Sequence, residues 1–270
     1  MKLAIYAHFS PTPQVVWFAW NFLESLLRLG FEVIFVSNSP IESEESSRLE
    51  KMGIKLMIRE NTGLDFGMWK AALETLDLRT ISELLLTNSS IAGPFRPLEP
   101  IFEEARTWDC DFWGMTDNCE LGRHLQSYFL MFHANVVRSD AFKDFWASVL
   151  LYKNKEQIIA SYEVGLTIWL EEQGYKWRPL VYLDDVWSSY KAGRTLVQRL
   201  ADRIPGRPLP KGCPTLFFPE LLLRMGFPFL KSSVLRHGSR GITQERAAIL
   251  YQKITGEVLH GPIIVSSVDC

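Results

Sequence analysis

What most constrains this chain is the rhythm of its first third, where short apolar runs alternate with longer helical stretches. LAIYAH, EVIFVSN and IKLMIRE have the length and the β-branched or aromatic character of strands. Between them, Val15 to Leu29 and Glu42 to Met52 repeat apolar residues at helical spacing. Strands that alternate with helices make βαβ units, so the pattern predicts an α/β fold with a largely parallel central sheet flanked by helices. Gly30 and Gly53 follow the last periodic residue of each helix, where a left-handed C-cap suits glycine.

The rhythm continues with a helix from Phe66 to Leu76 and the run ISELLLTNSS, whose apolar core ends abruptly in small polar residues. A buried strand reads this way where it emerges at the carboxyl edge of a parallel sheet, the edge at which ligands of open α/β sheets gather. A helix around Leu98 to Thr107 then precedes strands at DFWGMT and HLQSYFLMFH. Ser139 is placed to cap a helix from Asp140 to Leu150, a further helix runs from Glu156 to Gln173 up to Gly174, and YKWRPLVYL reads as the last strand. Beyond Asp185 the rhythm degrades. Pro205, Pro208, Pro210, Pro214, Pro219 and Pro228 predict loops with short helices rather than more sheet. The expected organisation is a core over residues 1–190 and a Pro-rich helical extension over 191–270, packed on the same domain.

Composition enters mainly by exclusion. A hydrophobic fraction of 47% with 22% charged residues is that of an ordinary globular protein able to bury a core. A formal net charge of -2 argues against a broad nucleic-acid-binding face. No stretch approaches the ~18 apolar residues of a membrane-spanning helix, so any membrane association is expected to be peripheral. The opening MKLAIYAHFSP lacks the longer apolar core of a signal peptide and reads as the first strand. Cys110, Cys119, Cys213 and Cys270 form no CxxC pair and no metal-ligand spacing, which fits free thiols in a reducing, cytoplasmic compartment.

Four clusters carry candidate chemistry. In RENTGLDFGMWK, Gly63 and Gly67 flank Asp65 between a strand end and a helix start, where backbone can approach a ligand closely. Asp65 there either caps the helix or accepts hydrogen bonds from a base or ribose, while Arg59 offers a planar fork to phosphate. The spacing is neither GxGxxG nor a Walker loop. In LLLTNSSIAGPF, Asn88, Ser89 and Ser90 follow the buried strand; as neutral oxygens they make a weak site for Mg²⁺ or Mn²⁺, or simply a polar turn. In DFWGMTDNCELGRHLQSYFLMFH, Trp113, Asp117, His124, Gln126 and Tyr128 have the aromatic, amide and acidic groups that hold sugars, although Trp113 and Phe129 fit a core equally. Glu163 interrupts the apolar helical stretch IIASYEVGLTIWL, where an acid is paired, neutral or functional. Asp184 and Asp185 offer another acidic pair, more simply read as helix capping.

Through ENTGLDFGMW, LLLTNSSIAGPF, DFWGMTD, HLQSYFLMF, FKDFW, SYEVGLT and PFLKSSVLR, the chain resembles the rhamnan synthesis protein F family. The resemblance implies a GT-A-like fold and transfer of a sugar, rhamnose among the candidates, from a nucleoside-diphosphate sugar to a cell-surface polysaccharide or lipid-linked glycan at the cytoplasmic side of the membrane. Together with the residue clusters it gives His8, Arg59, Asn61, Gly63, Asp65, Asn88, Ser89 and Ser90 as donor-nucleotide candidates, and Trp113, His124, Gln126 and Tyr128 as acceptor candidates. Catalytic roles fall to Glu163, as base, and Asp117. Members of the family typically read Asn-Asp-Ser at the strand end, whereas this chain has Asn88-Ser89-Ser90. That departure bears on Mg²⁺ or Mn²⁺ dependence and brings forward Arg59, Lys70, Arg236 or His237 to neutralise a donor diphosphate. It also motivates a second reading, a non-catalytic glycan-binding or scaffold module. A hydrolase is disfavoured, because neither GxSxG nor HExxH occurs.

Overall fold

The computed structural model describes residues 1–193, 213–239 and 242–255. Strands β1 (Lys2–His8), β2 (Glu32–Ser37), β3 (Lys55–Ile58) and β4 (Glu83–Asn88) are mutually parallel in the order β3-β2-β1-β4. The sheet continues through β8 (Phe129–His133), antiparallel to β4, to β6 (Phe112–Asn118), which carries β9 (Trp177–Val181) in parallel and the short β7 (His124–Leu125) antiparallel. The expected mostly parallel sheet flanked by helices is therefore present, with β8 and β7 reversed.

Both faces of the sheet are covered, which is why its strands are apolar throughout rather than alternating. Leu3, Ile5 and Ala7 of β1 enter one core with Phe66, Met68 and Trp69 of α3 (Leu64–Leu73) and Leu166 and Leu170 of α8 (Val164–Glu172). Ala4 and Tyr6 enter the other, against Phe22, Leu23 and Leu26 of α1 (Trp17–Arg28). Each large apolar side chain buried this way contributes about 1.5–3 kcal/mol. Phe218, Leu222, Phe227 and Phe229, from the Pro-rich end of the chain, join this second core, so the described part of the extension packs on the same body. Gly30 and Gly53 take the left-handed conformation expected of them, and Ser139 Oγ accepts from Phe142 N to start the helix Asp140–Ser148.

Three expectations change. HLQSYFLMFH is two strands rather than one: four residues lie between Leu125 and Leu130, but only two between their partners Asp117 and Gly114 on β6. The surplus forms a bulge over Gln126 to Tyr128 that re-aims those side chains. The helix from Glu156 to Gln173 is interrupted by a turn of π-helix, Ile159–Glu163, ahead of α8. YKWRPLVYL is not the last strand either. β10 (Leu230–Lys231) pairs antiparallel with β5 (Ile91–Ala92), while the helices Pro214–Phe217, Pro219–Arg224, Ser232–His237 and Gln244–Thr255 account for much of the extension. Pro205, Pro208, Pro210 and Cys270 lie outside the described residues.

Candidate functional site

The carboxyl ends of β1, β2, β4 and β6 share one edge of the sheet, and the polar residues of the sequence clusters meet there. Asn88, the last residue of β4, donates from Nδ2 to Asp65 Oδ2 at 2.6 Å, joining the strand end to the first turn of α3. Its Oδ1 accepts from Ser90 N at 3.0 Å and Ser90 Oγ at 2.5 Å. Lys231, on β10, donates to Ser90 Oγ at 3.2 Å and lies 5.1 Å from the centroid of the Tyr128 ring. Burial raises the Asp65 carboxyl to about 6, against the pull of Lys231 and the Asn88 hydrogen bond.

A second group stands beside the first. Glu163 closes the π-turn, a helical irregularity that recurs at functional sites. Ser127, on the bulge, donates to Glu163 Oε2 at 2.8 Å, and His124 Nε2 stands 3.8 Å from Oε1. The other His124 nitrogen, Nδ1, donates to Gly122 O at 2.8 Å, so the ring engages Glu163 through Nε2 as an ion pair in the doubly protonated form. Burial opposes ionisation of Glu163, but the His124 ring, the Lys231 charge and the Ser127 hydroxyl outweigh it and hold the carboxyl below the usual range. The arrangement offers an ionised carboxylate, an ammonium, and an acid able to change charge near neutrality.

Other predicted residues shape this edge rather than face it. Arg59 turns its fork inward, giving 2.9 Å to Thr62 O and 3.0 Å to Thr62 Oγ1, and so clamps the loop ahead of α3. That loop turns through Gly63 at φ 74° and Leu64 at φ 47°, the latter in a conformation that an L side chain rarely adopts. Gly67 is obligatory beneath it, since a Cβ there would lie 2.2 Å from Thr62 O and 2.7 Å from Arg59 Nη1. Asn61 accepts from Asn38 at 3.0 Å, and Ser89 Oγ accepts from Phe9 N at 3.3 Å. His8 is fully buried: Nε2 accepts from Val16 N at 3.2 Å, leaving Nδ1 to donate to Ser37 Oγ at 3.0 Å. Burial lowers its pKa to about 4, so the ring is neutral.

Four assignments are revised by what surrounds the side chains. Trp113 lies in the core against Phe102, Trp108 and Phe129 and presents no face to a sugar. Asp117 has both oxygens committed, Oδ1 to Leu183 N at 2.6 Å and Oδ2 to Arg123 Nε at 2.9 Å, which makes it a strut between β6 and α9 (Leu183–Ala192). Gln126 is spent on Thr116 at 2.7 Å and Cys213 at 2.9 Å. The Tyr128 hydroxyl bonds Thr116 at 2.6 Å, and the residue is buried. Lys70 reaches Ala147 O and Val149 O, away from any phosphate role, while Arg236 is half-buried by apolar surroundings that lower its pKa. Lys231 and Ser127 were missed by sequence reasoning; Lys231 stood in the motif PFLKSSVLR, but nothing local tied it to Ser90.

The side-chain oxygens of Asn88 and Ser90 are engaged with one another and with Lys231. The Asn88 oxygen already accepts two hydrogen bonds, and Ser90 Oγ gives its proton to Asn88 and takes the Lys231 ammonium. Among the described residues, no group of three or more His, Cys, Asp or Glu side chains is placed to hold a metal.

The fold and site define a mixed α/β protein whose polar cluster occupies the carboxyl edge of its sheet. Residues 33–258 match the model of rhamnan synthesis protein F, and the chain belongs to that family. Among curated proteins it is 29% identical to the uncharacterised protein y4gN of Sinorhizobium fredii over 63% of this chain and 46% of that one. It is 30% identical to virulence protein VirA of Vibrio anguillarum over 44% and 39%. The chain thus spans less than half the length of these curated relatives. Similar solved structures include TarS 1-349 of S. aureus, at 11% identity, covering 62% of this chain and 56% of that one with a TM-score of 0.39. The glycosyltransferase GlyE of Streptococcus pneumoniae is 15% identical, covering 78% and 53%, with a TM-score of 0.37.

Proposed function

We propose that this chain is a GT-A-like glycosyltransferase domain that moves a sugar from a nucleoside-diphosphate donor to a hydroxyl of a cell-surface polysaccharide or lipid-linked glycan, on the cytoplasmic side of the membrane. Membership of the rhamnan synthesis protein F family supports the class and makes rhamnose a candidate sugar. Among the described residues no helix is long and apolar enough to cross a membrane. The observation that carries the reading is Glu163, an ionised carboxylate held by Ser127 and His124 beside the Asp65–Asn88–Ser90–Lys231 chain.

In this reading the acceptor oxygen bonds to the anomeric carbon as the bond from that carbon to the diphosphate oxygen breaks. Glu163 takes the acceptor proton, and the nucleoside diphosphate leaves with the bonding electrons. Ser127 and His124 orient the carboxylate, and positive charge at the edge stabilises the departing diphosphate. A thermal-shift screen against UDP-, GDP- and dTDP-sugars, each with EDTA or Mn²⁺, tests the reading, because a ligand bound only by the folded state raises its melting temperature. Stabilisation by one nucleotide class is expected. No shift with any of them would favour the glycan-binding or scaffold module instead.

A further inference from the structure

We infer that the Lys231 ammonium, rather than a divalent cation, faces the diphosphate of the donor, so that donor binding at this site is independent of metal. This rests on the donor reading above and concerns the same sheet edge.

Lys231 is held by backbone, not by chance rotamers. β10 pairs with β5 in the register Lys231↔Ile91 and Leu230↔Ala92, and Ser232 N donates to Ser90 O at 2.8 Å. The strand-end turn and the lysine are therefore one unit. From this base Nζ reaches Ser90 Oγ at 3.2 Å over the Tyr128 ring, among the residues where a metal-binding carboxylate would stand if Ser89 were acidic. A cation added there would meet an ammonium already seated and oxygens already used as acceptors, so repulsion and lost hydrogen bonds oppose it.

For a diphosphate the same features are favourable. An ammonium has three N–H donors. Lys231 makes one hydrogen bond and no ion pair within reach among the described residues, leaving donors for phosphate oxygens. Its charge also acts on Asp65, in the first turn of α3, and on Glu163, the carboxylate assigned to the acceptor proton. A partly buried ammonium with unspent donors can give them to phosphate oxygens, and charge-assisted bonds to phosphate are among the stronger hydrogen bonds proteins form.

The test is calorimetric titration of the full chain with UDP, GDP and dTDP, in EDTA and in Mn²⁺, for the wild type, Lys231→Met and Lys231→Arg. The nucleotide that binds is expected to do so with the same affinity, within about twofold, in both media. Lys231→Met should weaken it by about tenfold or more, equivalent to about 1.4 kcal/mol, while leaving the affinity of the matching nucleoside unchanged. Lys231→Arg should restore most of the loss. A structural role would instead weaken nucleoside and nucleotide together and would not be rescued by arginine. Should Lys231→Met fail to fold, Lys231→Gln and the steepness of the salt dependence carry the same comparison. Binding that appears only with Mn²⁺, or a Met variant that binds the diphosphate like wild type, overturns the inference and leaves the donor reading standing. Binding of none of the three nucleotides in either medium overturns both.

Discussion

The Ser127 hydroxyl donates to Glu163 Oε2 at 2.8 Å, joining the bulge after β7 to the last residue of the π-turn. Two local irregularities thus meet at one carboxylate. Glu163→Gln keeps the shape and the Ser127 contact but removes the base. Turnover is expected to fall by about 10²–10⁴-fold, with nucleotide affinity and melting temperature close to wild type. Ser127→Ala should cost less, since His124 still orients the carboxylate. Full activity in Glu163→Gln would remove it as the base.

Asp65 and His8 give the stability opposite pH slopes over one window. Burial raises Asp65 to about 6 from an ordinary 3.8, so its folded state binds the extra proton and its contribution, full below about 4, is lost as pH rises to about 6. Burial lowers His8 from 6.5 to about 4, so its contribution is present above about 6.5 and is lost as pH falls to about 4. Each amounts to about 3 kcal/mol at most, and in the wild type they largely offset. Asp65→Asn should therefore become more acid-sensitive than wild type, and His8→Gln less so. Urea midpoints across this range that run parallel in all three proteins would contradict the assignment.

Gly67→Ala should destabilise by about 1–3 kcal/mol, because the new methyl would stand 2.2 Å from Thr62 O in a loop fixed by Arg59. Gly165→Ala, in α8 with the Ala160 carbonyl of the π-turn 4.0 Å from the new methyl, provides the contrast and should stabilise by up to about 1 kcal/mol. Denaturant unfolding of the two variants measures both signs.

Asp117→Ala is expected to cost about 3 kcal/mol, since it strips Leu183 N and Arg123 of a buried partner. Asp184 also meets Arg123, at 3.1 Å, but its side chain is 75% exposed, so Asp184→Ala should change stability by less than about 0.5 kcal/mol. Equal effects in the two variants would show that Asp117 is not the strut described here.

Much of this was legible in the chain itself. The alternation of LAIYAH, EVIFVSN and IKLMIRE with helical segments specified parallel βαβ units, because period-2 and period-3.6 patterns are local. The glycine caps, the Ser139 cap and the polar strand end at Asn88 are local too, and each stands in the structure where the local pattern puts it. Only the tertiary structure decided which polar groups meet at the edge of the sheet. Ser90 and Lys231 lie 141 positions apart, and Ser127 and Glu163 lie 36 apart. It also decided that Trp113 is core and Asp117 a strut, since an aromatic ring or an acid carries no mark of what will pack over it. Local spacing fixes how a segment folds, whereas burial and partnership depend on segments distant in sequence that pairing between strands such as β5 and β10 brings into contact.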